Sequence, residues 1–189
     1  MLIRARPTVY SGIHFRSRLE ATWAAMFDQL GWSWEYEPFQ IGRWLPDFAI
    51  KASAAPKGVI LCEVKPTFDF PEEAAAKAWD SCDGHDCLLL GAGLIQSDWF
   101  YAIKKSIGWL SDRNNGYWLG YDEEDGEPLW EPALLERRGQ IGLCHPTGRW
   151  FNRMSGEPHK PDSDERILDS EILAMWGAAK KATRYEPLS

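Results

Sequence analysis

The sequence has no hydrophobic run long enough to cross a lipid bilayer. Its longest nearly apolar stretch, residues 87–95, contains nine residues, whereas a membrane-spanning helix needs about 20. Residues 1–12 include charged side chains and lead into no apolar segment, so we expect no signal peptide. These two absences predict a cytoplasmic protein that makes no contact with a membrane.

Cysteine and positive charge are also scarce. Four cysteines and no secretory signal predict reduced thiols rather than disulfide bridges. The 21 Lys and Arg residues are outnumbered by 28 Asp and Glu residues, which gives a net charge of −7. This balance excludes a protein that coats nucleic acid by bulk electrostatics. It leaves room for a local basic face, because residues 1–18 contain four arginines and no acid.

Aromatic residues, in contrast, are plentiful. The chain contains 11 Trp, 6 Tyr and 8 Phe, enough apolar area to exclude disorder along the whole chain. No sequence repeat recurs at a fixed period, which excludes solenoid and coiled-coil arrays. A length of 189 residues predicts a single domain. We assign its core to residues of about 12–110 and a C-terminal elaboration to about 111–189.

The first half of the chain alternates helical and extended patterns. Apolar residues spaced three and four apart predict the first of two helices. A proline and acids before an alanine run predict the second. Period-two alternation and continuous apolar runs predict four extended segments. The predicted helices cover 16–30 and 69–82, and the predicted extended segments cover 32–36, 44–51, 58–65 and 88–90. This order predicts a mixed α/β fold with residues 58–65 as the central strand.

The second half predicts a hairpin and a last helix. Residues Tyr117–Trp130 carry aromatics on both sides of Asp125-Gly126 and are typical of a β-hairpin. Asp162 and Glu165 have the spacing of a capping box, so we expect a helix from about 162 that ends before Pro187. Its apolar face is predicted to contain Leu168, Ile172, Met175, Trp176 and Ala179.

Four polar residues are candidates for chemistry. Glu63 and Lys65 lie two apart at the end of the central strand, so both project from one face while Val64 points into the core. Asp47 follows Pro46 in a neighbouring extended segment, and Glu20 lies on the first helix. A Mg²⁺ ion held by one or two carboxylates can activate water and neutralise the negative charge of a phosphodiester.

Each candidate has a predicted role. Asp47 and Glu63 are expected to hold Mg²⁺ or Mn²⁺, with the backbone carbonyl of Val64 as a third ligand. Lys65 would orient or help deprotonate the attacking water and stabilise the transition state. Glu20 would reach the metal directly or through water.

These residues lie in motifs that resemble a known family. The segments RSRLE, WEYEP, LPDF and EVKP occur in this order, and together they resemble the PD-(D/E)xK nuclease superfamily, most closely small phage and prophage nuclease-like proteins. The resemblance covers residues 15–95. It implies a restriction-endonuclease-like core and a phage-encoded, Mg²⁺-dependent DNA endonuclease, of a structure-specific or resolvase-like kind, with Glu20, Asp47, Glu63 and Lys65 as its site. It leaves open a homodimer and the choice between DNA and RNA.

Other interpretations of the same residues stay open. Glu63 and Lys65 could form an ordinary surface ion pair. Arg16 and Arg18 could bind backbone phosphates or only solubilise the start of the helix. The acidic run 122–127 and the aromatic second half favour a second hypothesis, a non-catalytic nuclease-fold protein that contacts nucleic acid or a protein partner.

The cysteines and the remaining tryptophans are less informative. Cys82, His85, Cys87 and Cys144 have spacings that match no common zinc motif, so we expect buried thiols. Trp23, Trp34 and Trp176 fit a core stripe. Trp118 and Trp130 have no such explanation, and tryptophans in general can stack on unpaired bases.

Overall fold

The computed structural model describes residues 6–99, 102–111, 130–138, 140–144, 151–158 and 167–184. Within these residues the helices are α1 (Arg18–Leu30), α2 (Glu72–Ser81) and α3 (Asp169–Ala182). The strands of the first half are β1 (Thr8–Tyr10), β2 (Ile13–Phe15), β3 (Trp34–Tyr36), β4 (Phe48–Lys51), β5 (Val59–Val64) and β6 (Asp86–Leu90). Those that follow are β7 (Ile95–Trp99), β8 (Ala102–Ser106), β9 (Trp109–Ser111), β10 (Trp130–Pro132), β11 (Leu134–Arg138) and β12 (Gln140–Cys144). The fold is mixed α/β, as the sequence predicts.

A six-stranded sheet organises the molecule, in the order β10-β9-β6-β5-β4-β3. β5 and β6 are parallel, with α2 between them in the chain, and the other neighbouring strands are antiparallel. The predicted central position of β5 is confirmed, since it pairs with β4 on one side and β6 on the other. The end of this strand is therefore surrounded by other elements, which suits it to carry a site.

Strand alternation divides the apolar residues between the two faces of the sheet. Phe48, Ile60 and Leu88 pack on the face that contacts α1 and α3. Ala49, Leu61 and Leu89, each one residue later, pack against α2 on the opposite face. Each face thus has its own hydrophobic layer. Val64 belongs to the first layer, as predicted, so Glu63 and Lys65 on either side of it point away from that layer.

Helix α1 confirms the first helix prediction to within two residues. Ser17 is its N-cap, with a side-chain oxygen that accepts a hydrogen bond from the backbone of Glu20. Gly31 ends it in the left-handed conformation at φ 72°, where glycine carries no steric penalty. The helix is apolar on the face that includes Trp23, Met26 and Phe27, all of which are buried. It therefore has a fixed position over the sheet.

The start of the last helix differs from the prediction. α3 begins at Asp169, and Leu168 before it has an extended backbone and is 69% exposed. The expected start at Asp162 and the place of Leu168 on the apolar face are therefore wrong, although residues 161–166 themselves lie outside the described part. The Asp169 carboxylate accepts a hydrogen bond from the backbone of Lys105 at 3.1 Å, which fixes the first turn of α3 beside β8.

The apolar face of α3 is otherwise as predicted. Ile172, Trp176 and Ala179 are buried, and Met175 packs partly buried against the same layer. The indole rings of Trp23 and Trp176 are 4.5 Å apart between centroids. The hydroxyls of Thr22 and Thr183 are 2.9 Å apart. These contacts attach α3 to α1.

Two further differences concern short strands. The β1–β2 hairpin, with Ser11 and Gly12 at positive φ in its turn, was not expected from the sequence, although Ser-Gly between β-branched and aromatic residues is a recognisable turn signal. The predicted hairpin over Tyr117–Trp130 lies outside the described residues except for Trp130, which pairs with Ser111. No helix in the described part of the chain is long and apolar enough to cross a membrane.

Candidate active site

Asp47 lies beside the end of β5 because of the pairing between β4 and β5. Phe48 is opposite Cys62 in this antiparallel pair, so Asp47 lies next to Glu63. Its backbone N–H donates to the carbonyl of Cys62 at 2.8 Å. Its Oδ2 accepts a hydrogen bond from the backbone N–H of Val64 at 2.7 Å. Asp47 is thus held by its main chain and by its side chain.

Glu63 has two side-chain partners. Its Oε1 is 2.7 Å from the ammonium of Lys65, so the predicted projection of these two residues from one face is confirmed. Its Oε2 accepts a hydrogen bond at 2.7 Å from Nε1 of Trp44, a fully buried residue. Because Trp44 fixes one oxygen, the carboxylate of Glu63 has a defined orientation.

Glu20 has a structural role in addition to its predicted one. It is the third residue after the N-cap Ser17, whose hydroxyl accepts from the Glu20 backbone at 3.1 Å and donates to its Oε1 at 2.9 Å. The hydroxyl of Tyr36 donates to Oε2 at 2.6 Å. Glu20 therefore stabilises the start of α1, which favours negative charge, while its carboxylate faces the other acids.

Arg16 contacts three acids, a role that neither interpretation from the sequence included. Its Nη2 donates to Oδ1 of Asp47. Its Nε lies 3.0 Å from Oε1 of Glu37 and 3.8 Å from Oε2 of Glu20. The guanidinium offsets part of the negative charge of this cluster, and its side chain is still 57% exposed to solvent. We name Glu20, Asp47, Glu63 and Lys65 the carboxylate–lysine site.

Burial and mutual repulsion dominate the electrostatics of this site. The three carboxylate residues are all buried, and Asp47 is only 5% exposed. Burial, followed by the negative charge of Glu63, raises the pKa of Asp47 to about 7, and Glu20 adds to the rise. The hydrogen bond from Val64 and the charge of Arg16 act in the opposite direction but are weaker. The site therefore holds more negative charge than its two cations balance.

The donor set agrees in kind with a hard divalent cation. The side chains that could bind a metal are all carboxylates, the ligands that Mg²⁺ prefers. The three carboxylates of the site contact two cations, Arg16 and Lys65. Over the described residues no group of three or more His, Cys, Asp or Glu side chains is arranged as a ready metal-binding set. Each of the six carboxylate oxygens instead has a protein partner.

Glu20, Asp47, Glu63 and Lys65 lie close together, as the sequence predicts. The residues that hold them were not predicted. Tyr36 and Glu37 lie within the WEYEP segment, which signalled the family but gave no role to either residue. Trp44 carried no signal beyond its position shortly before Asp47. Arg18 is exposed and forms no ion pair with a carboxylate of the described residues. Trp118 and the acidic run 122–127 lie outside the described residues.

The four cysteines are buried, as expected, and none of them is in a disulfide. Burial raises the pKa of the Cys62 and Cys87 thiols well above the usual value. The ring Nδ1 of His85 lies 2.7 Å from the carbonyl oxygen of Cys82. Burial keeps these thiols protonated, so they are poor nucleophiles.

Comparison of the chain with protein-family models, with curated proteins and with solved structures found no significant match to any of them.

The pKa of Asp47 predicts a pH dependence of stability. A raised pKa in the folded state means that the native protein binds a proton more tightly than the unfolded chain does, so the free energy of unfolding falls as the pH rises from about 4 to about 7. Asp47→Asn keeps an oxygen for the Val64 N–H and removes this charge. We expect the variant to be more stable than wild type at pH 8 by roughly 2–4 kcal/mol and equally stable near pH 4.

Urea unfolding in EDTA at several pH values measures this difference. The exposed Asp80→Asn change on α2 provides a control that removes one carboxylate at the surface. An Asp47→Asn variant that is less stable than wild type at pH 8 would contradict the electrostatic description of the site.

Proposed function

We propose that the protein is a metal-dependent nuclease that hydrolyses DNA phosphodiester bonds with a restriction-endonuclease-like core. The observation that carries this proposal is the convergence of Asp47, Glu63 and Lys65 at the end of the central strand. Glu63 and Lys65 form an ion pair at the end of β5, and Asp47, the residue before β4, accepts a hydrogen bond from the backbone N–H of Val64 between them. Metal-dependent nuclease chemistry uses paired carboxylates to hold the metal ion, and here they lie beside the ammonium of a lysine.

The topology supports the proposed core. Helix α1 precedes an antiparallel β3-β4-β5 sheet, and α2 then leads into the parallel strand β6. This is the order of helices and strands that the sequence patterns predict, and it agrees with a central mixed sheet flanked by helices. The motif residues lie where a site needs them, at the end of β5 and at the adjoining end of β4.

Each residue of the site has a separate proposed role. Asp47 and Glu63, with the carbonyl of Val64, would hold Mg²⁺ or Mn²⁺, and Glu20 would complete the negative site. When bound, the metal supplies positive charge to the phosphoryl oxygens and lowers the pKa of water. Lys65 orients the attacking water or takes its proton. Trp44 positions Glu63, and Tyr36 positions Glu20.

One observation favours the second candidate, a non-catalytic binding protein with the same fold. The partners of the carboxylate oxygens include Arg16 and Lys65, so the cluster is partly neutralised by the protein itself. Carboxylate oxygens accept more than one hydrogen bond or ligand each, so these partners do not close the site. Metal binding and cleavage assays separate the two candidates.

The proposal is tested by incubating linear duplex, supercoiled plasmid, single-stranded DNA and a four-way junction with the protein. Each substrate is tested with Mg²⁺, with Mn²⁺ and with EDTA. We expect cleavage of at least one substrate with a metal and of none in EDTA. No cleavage of any substrate, together with no Mn²⁺ binding by calorimetry, would favour the non-catalytic candidate.

Arg16 gives a prediction about metal affinity. Its guanidinium occupies Oδ1 of Asp47, so it competes with a cation for that oxygen and repels it. Arg16→Gln is expected to tighten Mn²⁺ binding about fivefold, which corresponds to about 1 kcal/mol of removed repulsion. Isothermal titration calorimetry measures the dissociation constant.

Arg43→Gln is the matched control for this measurement. Arg43 is exposed and forms no ion pair with a carboxylate of the described residues, so its loss should leave Mn²⁺ affinity unchanged. Weaker Mn²⁺ binding by Arg16→Gln, with the control unaffected, would show that Arg16 supports the metal site instead of competing for it.

A further inference from the structure

A basic groove adjoins the carboxylate–lysine site. It lies between the start of α1, the end of β5 and the last turns of α3, and it has a volume of about 1050 Å³. Glu20, one of the four residues of the carboxylate–lysine site, and Val64 line it, so the groove adjoins the site at Glu20. Five cationic side chains also line it: Arg6, Arg18, Lys180, Lys181 and Arg184. Glu20 is the one acidic residue among the lining residues.

The positive charges of these five side chains are not paired within the part of the chain that the structure describes. None of them forms an ion pair with any carboxylate of the described residues, in a chain whose net charge is −7. Lys180 and Lys181 are in the last turn of α3, where the helix dipole favours positive charge. Arg18 is in the first turn of α1, where the dipole disfavours it. Helix stabilisation therefore accounts for Lys180 and Lys181 but not for Arg18.

The wall of the groove offers a further hydrogen-bond donor. Trp176 is only 7% exposed and lines the groove. Its indole N–H donates to no atom of the described residues, and it is not among the enclosed side-chain atoms that lack a partner. This donor is therefore open to water or to a ligand in the groove. An indole N–H can donate a hydrogen bond to an anionic oxygen, and the surrounding cations attract the same kind of ligand.

An exposed aromatic ring lies at the rim of the groove. Phe68 is 66% exposed and follows Lys65 by three residues. A Cβ added to Gly93 would lie 3.3 Å from Cε1 of Phe68 and 3.5 Å from Nε1 of Trp176, so the ring of Phe68 is close to the wall of the groove. A large apolar ring in this position gains nothing from water, but it offers a face on which a base can stack.

We propose that the groove binds single-stranded DNA, with its phosphates along the five cations and a base stacked on Phe68. The inference rests on the proposed nuclease function for the nature of the anion, and it extends that function to substrates with an unpaired strand. Cations that follow a backbone beside an aromatic platform are the recurring means of binding single strands. In a duplex the bases are stacked on one another and do not offer a free face to Phe68.

The test measures binding without cleavage. Fluorescence anisotropy in EDTA measures the affinity of the protein for a labelled oligothymidylate of about 20 nucleotides and for a labelled duplex of the same length. We expect the wild-type protein to bind the single strand more tightly. The variant Lys180→Gln/Lys181→Gln/Arg184→Gln should weaken this binding at least about tenfold and flatten its salt dependence by about two units of slope. Phe68→Ala should weaken single-strand binding about tenfold and leave duplex binding unchanged.

A matched triple variant controls for the loss of charge. Arg43, Lys51 and Lys77 are exposed and lie outside the groove, so Arg43→Gln/Lys51→Gln/Lys77→Gln removes the same charge elsewhere. Equal single-strand affinity of the two triple variants would overturn the proposal, as would a duplex preference that Phe68→Ala does not alter.

Failure of the nuclease proposal gives a different result. Groove-dependent binding of the oligonucleotide with no metal-dependent cleavage of any substrate would refute the nuclease and support the groove. If the triple variant of the groove cleaves DNA with a metal and also binds single strands as tightly as wild type does, the groove is not the single-strand site. The nuclease proposal would then still be supported.

Discussion

Lys65→Ala is expected to reduce the rate of metal-dependent DNA cleavage by about a thousandfold. The ammonium of Lys65 lies 2.7 Å from Glu63 at the end of the central strand, where it can orient water and balance the charge that builds on the phosphoryl group. Loss of a general acid–base or of a preorganised electrostatic donor lowers rates by about 10²- to 10⁴-fold. The measurement is the single-turnover rate on the best substrate of the panel, at saturating Mg²⁺.

Lys51→Ala is the control for this rate. Lys51 is an exposed lysine at the end of the neighbouring strand β4, and its loss should change the rate less than twofold. Both variants are first compared with wild type by thermal unfolding, since Glu63 loses an ion-pair partner in Lys65→Ala. Cleavage at the wild-type rate by a folded Lys65→Ala protein would remove Lys65 from the mechanism.

Arg153→Ala is expected to reduce the free energy of unfolding by about 3–5 kcal/mol, the usual effect of leaving a buried charge without its partner. Arg153 is fully buried, and its Nε lies 2.8 Å from Oδ2 of Asp86, which is also buried. Its Nη1 donates to the carbonyl of Phe151, and its guanidinium lies over the Phe151 ring at 4.6 Å. The ion pair attaches residues 151–158 to the first residue of β6.

Chemical denaturation of three proteins tests this interpretation. Arg153→Ala is compared with the double variant Arg153→Met/Asp86→Leu and with Arg137→Ala, which breaks an exposed ion pair to Glu171. The double variant should recover most of the lost stability, because it removes both charges. The exposed pair should contribute at most about 1 kcal/mol. A loss by Arg153→Ala no larger than that of Arg137→Ala would refute a structural role for the buried pair.

The elements that form the centre of the fold could be predicted because local rules determine them. α1 has a three–four apolar spacing and a glycine that ends it, and β5 is a continuous apolar run. The β1–β2 hairpin and the later strands were missed because they are short and their apolar residues show no sustained period. The start of α3 depends on the contact between Asp169 and Lys105, a long-range contact that a capping pattern cannot reveal.

The site was predictable to the same extent. Glu63 and Lys65 are two residues apart on a strand, which fixes their common direction, and the order of the motifs brought Asp47 and Glu20 to them. The network that holds these residues was not predictable. Trp44 reaches Glu63 across 19 positions and Arg16 reaches Asp47 across 31, and such pairings exist only once the chain has folded.

The attachment of α3 to α1 has a consequence for the order of folding. Thr22 and Thr183, whose hydroxyls meet in the core, are separated by 161 positions. Bringing such distant residues together carries a large loop-closure entropy, so contacts of this kind form late and slow the folding reaction. During synthesis the part of α1 that packs on α3 stays uncovered until residue 183 has left the ribosome. The surface of Trp23 is then exposed to chaperones and to other nascent chains until the last helix docks.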